Sequence, residues 1–207
     1  MKYEWRKEEK NIYLPPKKPV LVDVPQFNYC TISGSGNPDS PFFAECVDAL
    51  YAVSYAIRMS HKKGLQPENF YEYTVYPLEG VWDLSEKAKR SFDGAVNKDE
   101  LVFTLMIRQP NFVSSEFAEM AKAWAMKKKP HLPIQAIAFR QISEGKCIQM
   151  MHLGSYDNEP ESFALMDDFA RNNQLKRKSM KHKEIYISDP RKVVPEKLKT
   201  VLRFKVE

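Results

Sequence analysis

Glycine is scarce in this chain: 7 residues of 207, against 14 prolines. That argues against a collagen-like repeat, a Gly-rich linker and the Gly-rich loops that cradle phosphates. No GxGxxG, Walker A or GxSxG sequence is present. Cysteine is scarcer still, with only Cys30, Cys46 and Cys147 and no CxxC pair. An odd, scattered set speaks against a disulfide framework or a zinc site, and for reduced thiols in a cytosol. His61, His131, His152 and His182 show no HxxxH or HExxH spacing. No metal site is therefore expected. No apolar run approaches the roughly 20 residues that span a bilayer. The opening MKYEWRKEEK is charged, unlike a secretory signal. The expectation is a cytoplasmic protein without a membrane partner. Nor does one sign of charge dominate: 32 Lys+Arg against 27 Asp+Glu give +5. Such a balance, with short basic runs at Lys127–Lys129 and at Lys176, Arg177 and Lys178, points to solvated element ends rather than to a nucleic-acid partner.

Aromatic residues are plentiful: 12 Phe, 10 Tyr and 3 Trp. A chain this long buries a sizeable core and has rings to spare for a ligand site. Residues 1–19 are charged and then Pro/Lys-rich, an arm whose Trp5, Ile12 and Tyr13 are fit to dock. Strand signals run over 20–36. A helix over 42–60 offers Phe43, Val47, Leu50, Ala52, Ser54 and Ile57 as its apolar face. The β-prone Phe70–Tyr76 reads as a strand, and Pro77–Gly80 as a tight turn before Trp82. Leu101–Arg108 reads as a strand and 114–127 as a helix. Residues 134–142 and 146–153 read as a hairpin around Ser143, Glu144 and Gly145. A helix over 161–172, with Phe163, Leu165, Met166 and Phe169 as its apolar set, precedes strands at 183–188 and 198–206.

One design occurs twice. A strand ends at Gly36 and again at Gly154, 118 residues later. Each is followed by an Asp-bearing turn, an amphipathic helix and further strands. The fold class is therefore α+β, with tandem duplicated strand–helix–strand–strand units over about 20–110 and 134–207, in one domain of 20–207 after the arm. A helix covers one face of each sheet, and the other faces are free to meet around a cleft.

Alternation over Lys183–Ser188 puts Glu184 and Tyr186 on one strand face and Ile185 and Ile187 on the other. With the isoleucines toward the helices, Glu184 faces the cleft, able to hold an aromatic cation or to act as general base on water. Trp82 offers a flat wall with an N–H donor. Tyr29, Tyr51, Tyr55, Tyr73, Phe103, Met151, Tyr156, Phe163 and Tyr186 complete the candidate lining.

Six blocks in order resemble the GyrI-like small-molecule-binding proteins, in their stand-alone bacterial branch. They are Val20–Pro25, Gly34–Pro38, Tyr76–Trp82, Leu105–Pro110, Gln149–Asp157 and Glu184–Arg191. The resemblance implies two strand–helix–strand–strand units around a ligand cleft, the fold of BmrR-type effector domains in multidrug-sensing regulators. In that family a buried glutamate among aromatics receives lipophilic cations, and Glu184 lies on the matching motif. Some stand-alone members hydrolyse cyclopropanoid cyclohexadienone genotoxins of the yatakemycin type. The resemblance thus implies a cofactor-independent hydrolase acting in detoxification. Glu184 would be the water-activating base, Trp82 a stacking wall, and Tyr156 or Tyr186 the stabiliser of the nascent phenolate. The alternatives are drug sequestration or sensing without chemistry and, third, a gyrase-inhibitor-type interaction. A planar aromatic or lipophilic molecule is the expected partner, and the expected state is a monomer or weak dimer.

Overall fold

A computed structural model describes residues 2–91 and 96–207. Two short helices, α1 (Trp5–Glu8) and α2 (Lys10–Tyr13), precede β1 (Val20–Ser35), α3 (Pro41–Arg58) and β2 (Leu78–Leu84). Then follow α4 (Glu86–Arg90), β3 (Leu101–Gln109), α5 (Ser115–Lys128), β4 (Ala138–Leu153), α6 (Glu159–Asn172), β5 (His182–Tyr186) and β6 (Lys199–Lys205). Side-chain caps open two of the long helices. Ser40 Oγ accepts from the Phe43 N–H at 3.3 Å with Pro41 opening α3, and Ser114 Oγ accepts from the Phe117 N–H at 3.2 Å. Gly36 (φ +105°) and Gly154 (φ +123°) close β1 and β4 in a conformation that costs a Cβ-bearing residue strain.

The chain divides into two compact units. The first comprises Phe27–Leu78 and Trp82–Ile142 with the N-terminal residues up to Tyr3; the second comprises Glu4–Gln26, Glu79–Val81 and Ser143–Glu207. In the first, β1 pairs antiparallel with β3, from Asn28 opposite Gln109 to Ser35 opposite Val102. Helix α3 packs on β3 and α5 through Cys46, Ala49, Leu50, Val53, Ser54 and Ile57, all buried. That stripe keeps Leu50, Ser54 and Ile57 of the expected face, while Phe43, Val47 and Ala52 flank it, half-buried. A buried pair fixes the contact: Gln109 Nε2 donates to Ser54 Oγ at 2.9 Å.

In the second unit β6 lies between β4 and β5, antiparallel to both. One sheet face packs Ile148, Met150, Leu202 and Phe204 against Met166 and Ala170 of α6. Leu165, expected in that apolar set, points outward and is exposed. The opposite face carries a buried charge network. Lys183 Nζ donates to Glu79 Oε2 at 2.8 Å and to Glu144 Oε1 at 2.7 Å. Arg203 donates from Nη1 to Glu144 Oε1 at 3.2 Å and from Nη2 to Gln149 Oε1 at 2.7 Å. The same Arg203 Nη2 reaches the Ile12 carbonyl at 2.7 Å, and Gln149 Nε2 the Asn11 carbonyl at 2.6 Å. From Glu4 onward the arm is thus an integral layer of this unit, with Trp5, Ile12 and Tyr13 buried.

Three secondary-structure expectations fail. Residues 70–76 are not a strand: the segment makes a single bridge, Tyr73 to Tyr3. Its rings pack on Phe112 instead, at 5.1 Å from Tyr71 and 5.9 Å from Tyr73. β propensity measures fit to a half-buried surface, and an aromatic cluster satisfies it without a ladder. The turn expected at Pro77–Gly80 is instead the entry to β2, held by burial of Leu78 and by the Glu79 ion pair with Lys183. The hairpin around Gly145 is one continuous strand, β4. Gly145 at φ +68° supplies a left-handed residue within it. Glu144 stays buried on Lys183 and Arg203, where a hairpin tip would expose it.

Candidate functional site

Glu184 sits mid-strand in β5 and is only 9% exposed. Tyr186, two residues on and on the same face, donates its hydroxyl to Glu184 Oε2 at 2.8 Å. His182, two residues back, brings Nε2 to 3.1 Å from Glu184 Oε1, a hydrogen bond when Nε2 carries the proton. Each carboxylate oxygen keeps a lone pair for a ligand or water. Period-2 geometry alone aligns this triplet.

The register corrects which face this is. Glu184 stands opposite Leu202 and Tyr186 opposite Thr200, and directly opposed residues share a face. Leu202 packs on α6. Glu184 and Tyr186 therefore lie on the helix-bearing face, and Ile185, opposite Val201, on the other. Lys183 requires this orientation, because its ammonium must reach Glu79 and Glu144 on the face away from α6. The isoleucine pattern alone carried no such information.

The turn before α6 and the helix itself complete the surroundings. The ring of Tyr156 stands edge-on to that of Tyr186 at 6.1 Å, and Phe163 edge-on to His182 at 4.8 Å. Tyr156 is 36% exposed. Burial, then the charges of Glu184, Glu159 and Asp189, pushes its phenol up to about 12, so it stays a neutral donor. Nearby His152 is fully engaged: its Nδ1 lies 2.9 Å from Ser162 Oγ and its Nε2 2.9 Å from the Ser155 carbonyl. Both contacts tie β4 to the start of α6, a structural role.

One functional candidate escaped the sequence reading. Glu159, the first residue of α6, is 7% exposed, and its Oε1 is buried without a hydrogen-bond partner. Burial first, then the charges of Glu184 and Asp157, raises its pKa far above the carboxylate range. The available signal was its position: three residues after Tyr156 and four before Phe163, on one helical face.

The remaining candidates are distributed by register. In the first unit Trp82 stacks on Phe43 at 5.7 Å and Phe103 meets Phe43 edge-on at 5.1 Å. Gly34 makes room for this cluster, since a Cβ there would lie 2.6 Å from the Phe103 ring. Tyr29 is buried in β1. Tyr73 is buried as well, its hydroxyl without a partner and its pKa pushed up chiefly by burial. Tyr51 and Tyr55 pair along α3 at 6.3 Å, with Tyr55 half exposed. In the second unit Met151 lies opposite Val201, on the face away from Glu184. The structure thus brings Glu184, Tyr186, Tyr156 and Phe163 together in one unit, and Trp82 with Phe103 in the other. Among the described residues no cluster of His, Cys, Asp or Glu has the arrangement of a metal site. No helix among them is long and apolar enough to cross a membrane.

The family model of the GyrI-like small molecule binding domain matches residues 17–207. The chain belongs to the GyrI-like family. Solved structures agree. A hydrolase from Listeria innocua is 36% identical, with TM-score 0.89 and full coverage of both chains. A hydrolase encoded by lin2189 in the same organism is 38% identical, with TM-score 0.91 and full coverage of both. The C-terminal domain of EcmrR, at 12% identity and TM-score 0.56 over 92% of this chain and 97% of that one, shares the fold. No curated protein sequence matches significantly. This GyrI-like chain is therefore a small-molecule-binding domain whose structural relatives include hydrolases.

Proposed function

We propose that this GyrI-like protein binds planar hydrophobic molecules and hydrolyses cyclopropanoid cyclohexadienones by adding water. The observation that carries the reading is Glu184: a nine-tenths buried carboxylate held at both oxygens by His182 and Tyr186, beside the Tyr156 ring. Fixed this way, it has little conformational freedom to lose when a water docks on it.

The reaction needs no cofactor. Glu184 takes a proton from water as the water oxygen bonds to the cyclopropane methylene. The strained C–C bond breaks, and its electron pair passes through the ring to the dienone oxygen, which becomes a phenolate. Tyr186 already donates to Glu184, so Tyr156, with its neutral hydroxyl, is our donor to that oxygen. Lipophilic-cation binding without chemistry is the second reading, favoured by the same buried carboxylate among rings.

The two separate by kinetics. Under the first, Glu184→Gln lowers kcat by about 10²–10⁴-fold with KM little changed. Under the second, the wild type protects only stoichiometrically, and Glu184→Gln weakens binding of planar cations. If Glu184→Gln alters neither binding nor turnover, the site is wrong.

A further inference from the structure

We propose that Glu159 is a second catalytic carboxyl group, the proton donor to the oxygen released as phenolate; this rests on the hydrolase reading above. The placement is geometric. Tyr156, Glu159 and Phe163 are spaced three and four apart along the turn and first helical turns leading into α6, so they share one face. The two flanking residues touch the two hydrogen-bond partners of Glu184: Tyr156 on Tyr186 at 6.1 Å and Phe163 on His182 at 4.8 Å. Ser162, three residues beyond Glu159, holds His152 of β4 at 2.9 Å. The face that carries Glu159 is therefore the face turned to the Glu184 strand.

Its burial then fixes its chemistry. A carboxylate without a cation or donor is expensive to bury, and Glu159 Oε1 has neither. The titratable groups that act on it are Glu184 of β5 and Tyr156 and Asp157 of the preceding turn; His152 of β4 bonds Ser162 on the same helix, and His182 and Tyr186 meet the flanking rings. The negative charges of Glu184 and Asp157 oppose ionisation further. Glu159 thus favours keeping its proton beside Glu184, which the proposed reaction uses as base, the pairing expected of an acid and a base in one mechanism.

The proton ledger closes. Water gives a proton to Glu184 and its oxygen to the methylene carbon. Glu159 gives its proton to the dienone oxygen as the C–C bond opens, so the oxygen that Tyr156 hydrogen-bonds ends as a phenol rather than as the free phenolate. Transfer of the proton from Glu184 to Glu159 through solvent restores both groups. The net reaction is addition of one water.

The test is the pH profile of kcat for the full chain with a cyclopropanoid cyclohexadienone. Wild type should lose turnover on the alkaline side as Glu159 ionises. Glu159→Gln should lower kcat about a hundredfold, leave KM near wild type and abolish that alkaline limb. Glu159→Asp, which keeps an acid on a shorter stem, should recover part of the rate. The infrared stretch of a protonated carboxyl should be present in the wild type at neutral pH and absent from Glu159→Gln, a readout that needs no turnover. Wild-type turnover with an unchanged profile in Glu159→Gln overturns this inference alone. A carboxyl band that survives the substitution also overturns it. A wild type without any turnover overturns the parent reading together with it.

Discussion

At the residue scale, neighbours on one short strand do opposite jobs. Lys183 and Glu184 are adjacent, yet one points into a closed ion network and the other toward α6. In the network, burial alone would push the Glu144 carboxyl up, but the Lys183 and Arg203 charges prevail and hold it at about 2. Its folded pKa thus lies below the ordinary value of about 4.3. The stabilisation is present above about pH 4.3 and is lost as pH falls toward 2. Urea midpoints should therefore drop on acidification through that window, and Glu144→Gln should flatten the drop. Lys183→Ala leaves two buried carboxylates without their shared cation and should cost about 3–5 kcal/mol in the same assay. Substitution to Ala at exposed Lys181 or Lys192 should change stability by less than about 0.5 kcal/mol.

At the element scale, the repeat spacing is the most informative feature. β1 and β4 are both sixteen residues long, and Val20 and Ala138 begin them 118 residues apart. Pro41 and Glu159, the first residues of α3 and α6, stand at the same separation, as do Gly36 and Gly154. We propose that this reflects tandem duplication. The compact units do not follow the repeats, since Val20–Gln26 falls in the second unit and residues 138–142 in the first. The glycines carry a direct test. A Cβ at Gly154 would meet nothing nearer than His152 Nε2 at 4.0 Å, so Gly154→Ala should cost only backbone strain. About 1–3 kcal/mol is expected, a Tm loss of roughly 2–4 °C per kcal/mol by calorimetry. An unchanged Tm would contradict the strain argument.

The three long helices and most strands were legible because the apolar period is a local signal, whereas the short helices α1, α2 and α4, in an arm and a charged connector, were not. What failed was non-local. Glu144 gives no hint in sequence that Lys183 and Arg203 await it, so Gly145 looked like a hairpin tip. Glu79 likewise hid β2 behind a Pro–Gly pattern. The Glu184–Tyr186 pairing was legible from alternation alone; the face it occupies depended on the register with β6 and on Lys183. Glu159 was missed because a glutamate opening a helix ordinarily faces solvent.

At the scale of the whole molecule, the chain is a GyrI-like small-molecule-binding domain, and the central claim is that its Glu184 site turns ligand over. The most direct measurement counts product. Purified protein at substoichiometric concentration is incubated with a cyclopropanoid cyclohexadienone in isotopically labelled water, and ring-opened product is resolved by mass. The account predicts many labelled product molecules per protein, and product formation about 10²–10⁴-fold slower for Glu184→Gln. One product or fewer per protein, or equal yield from Glu184→Gln, would contradict it.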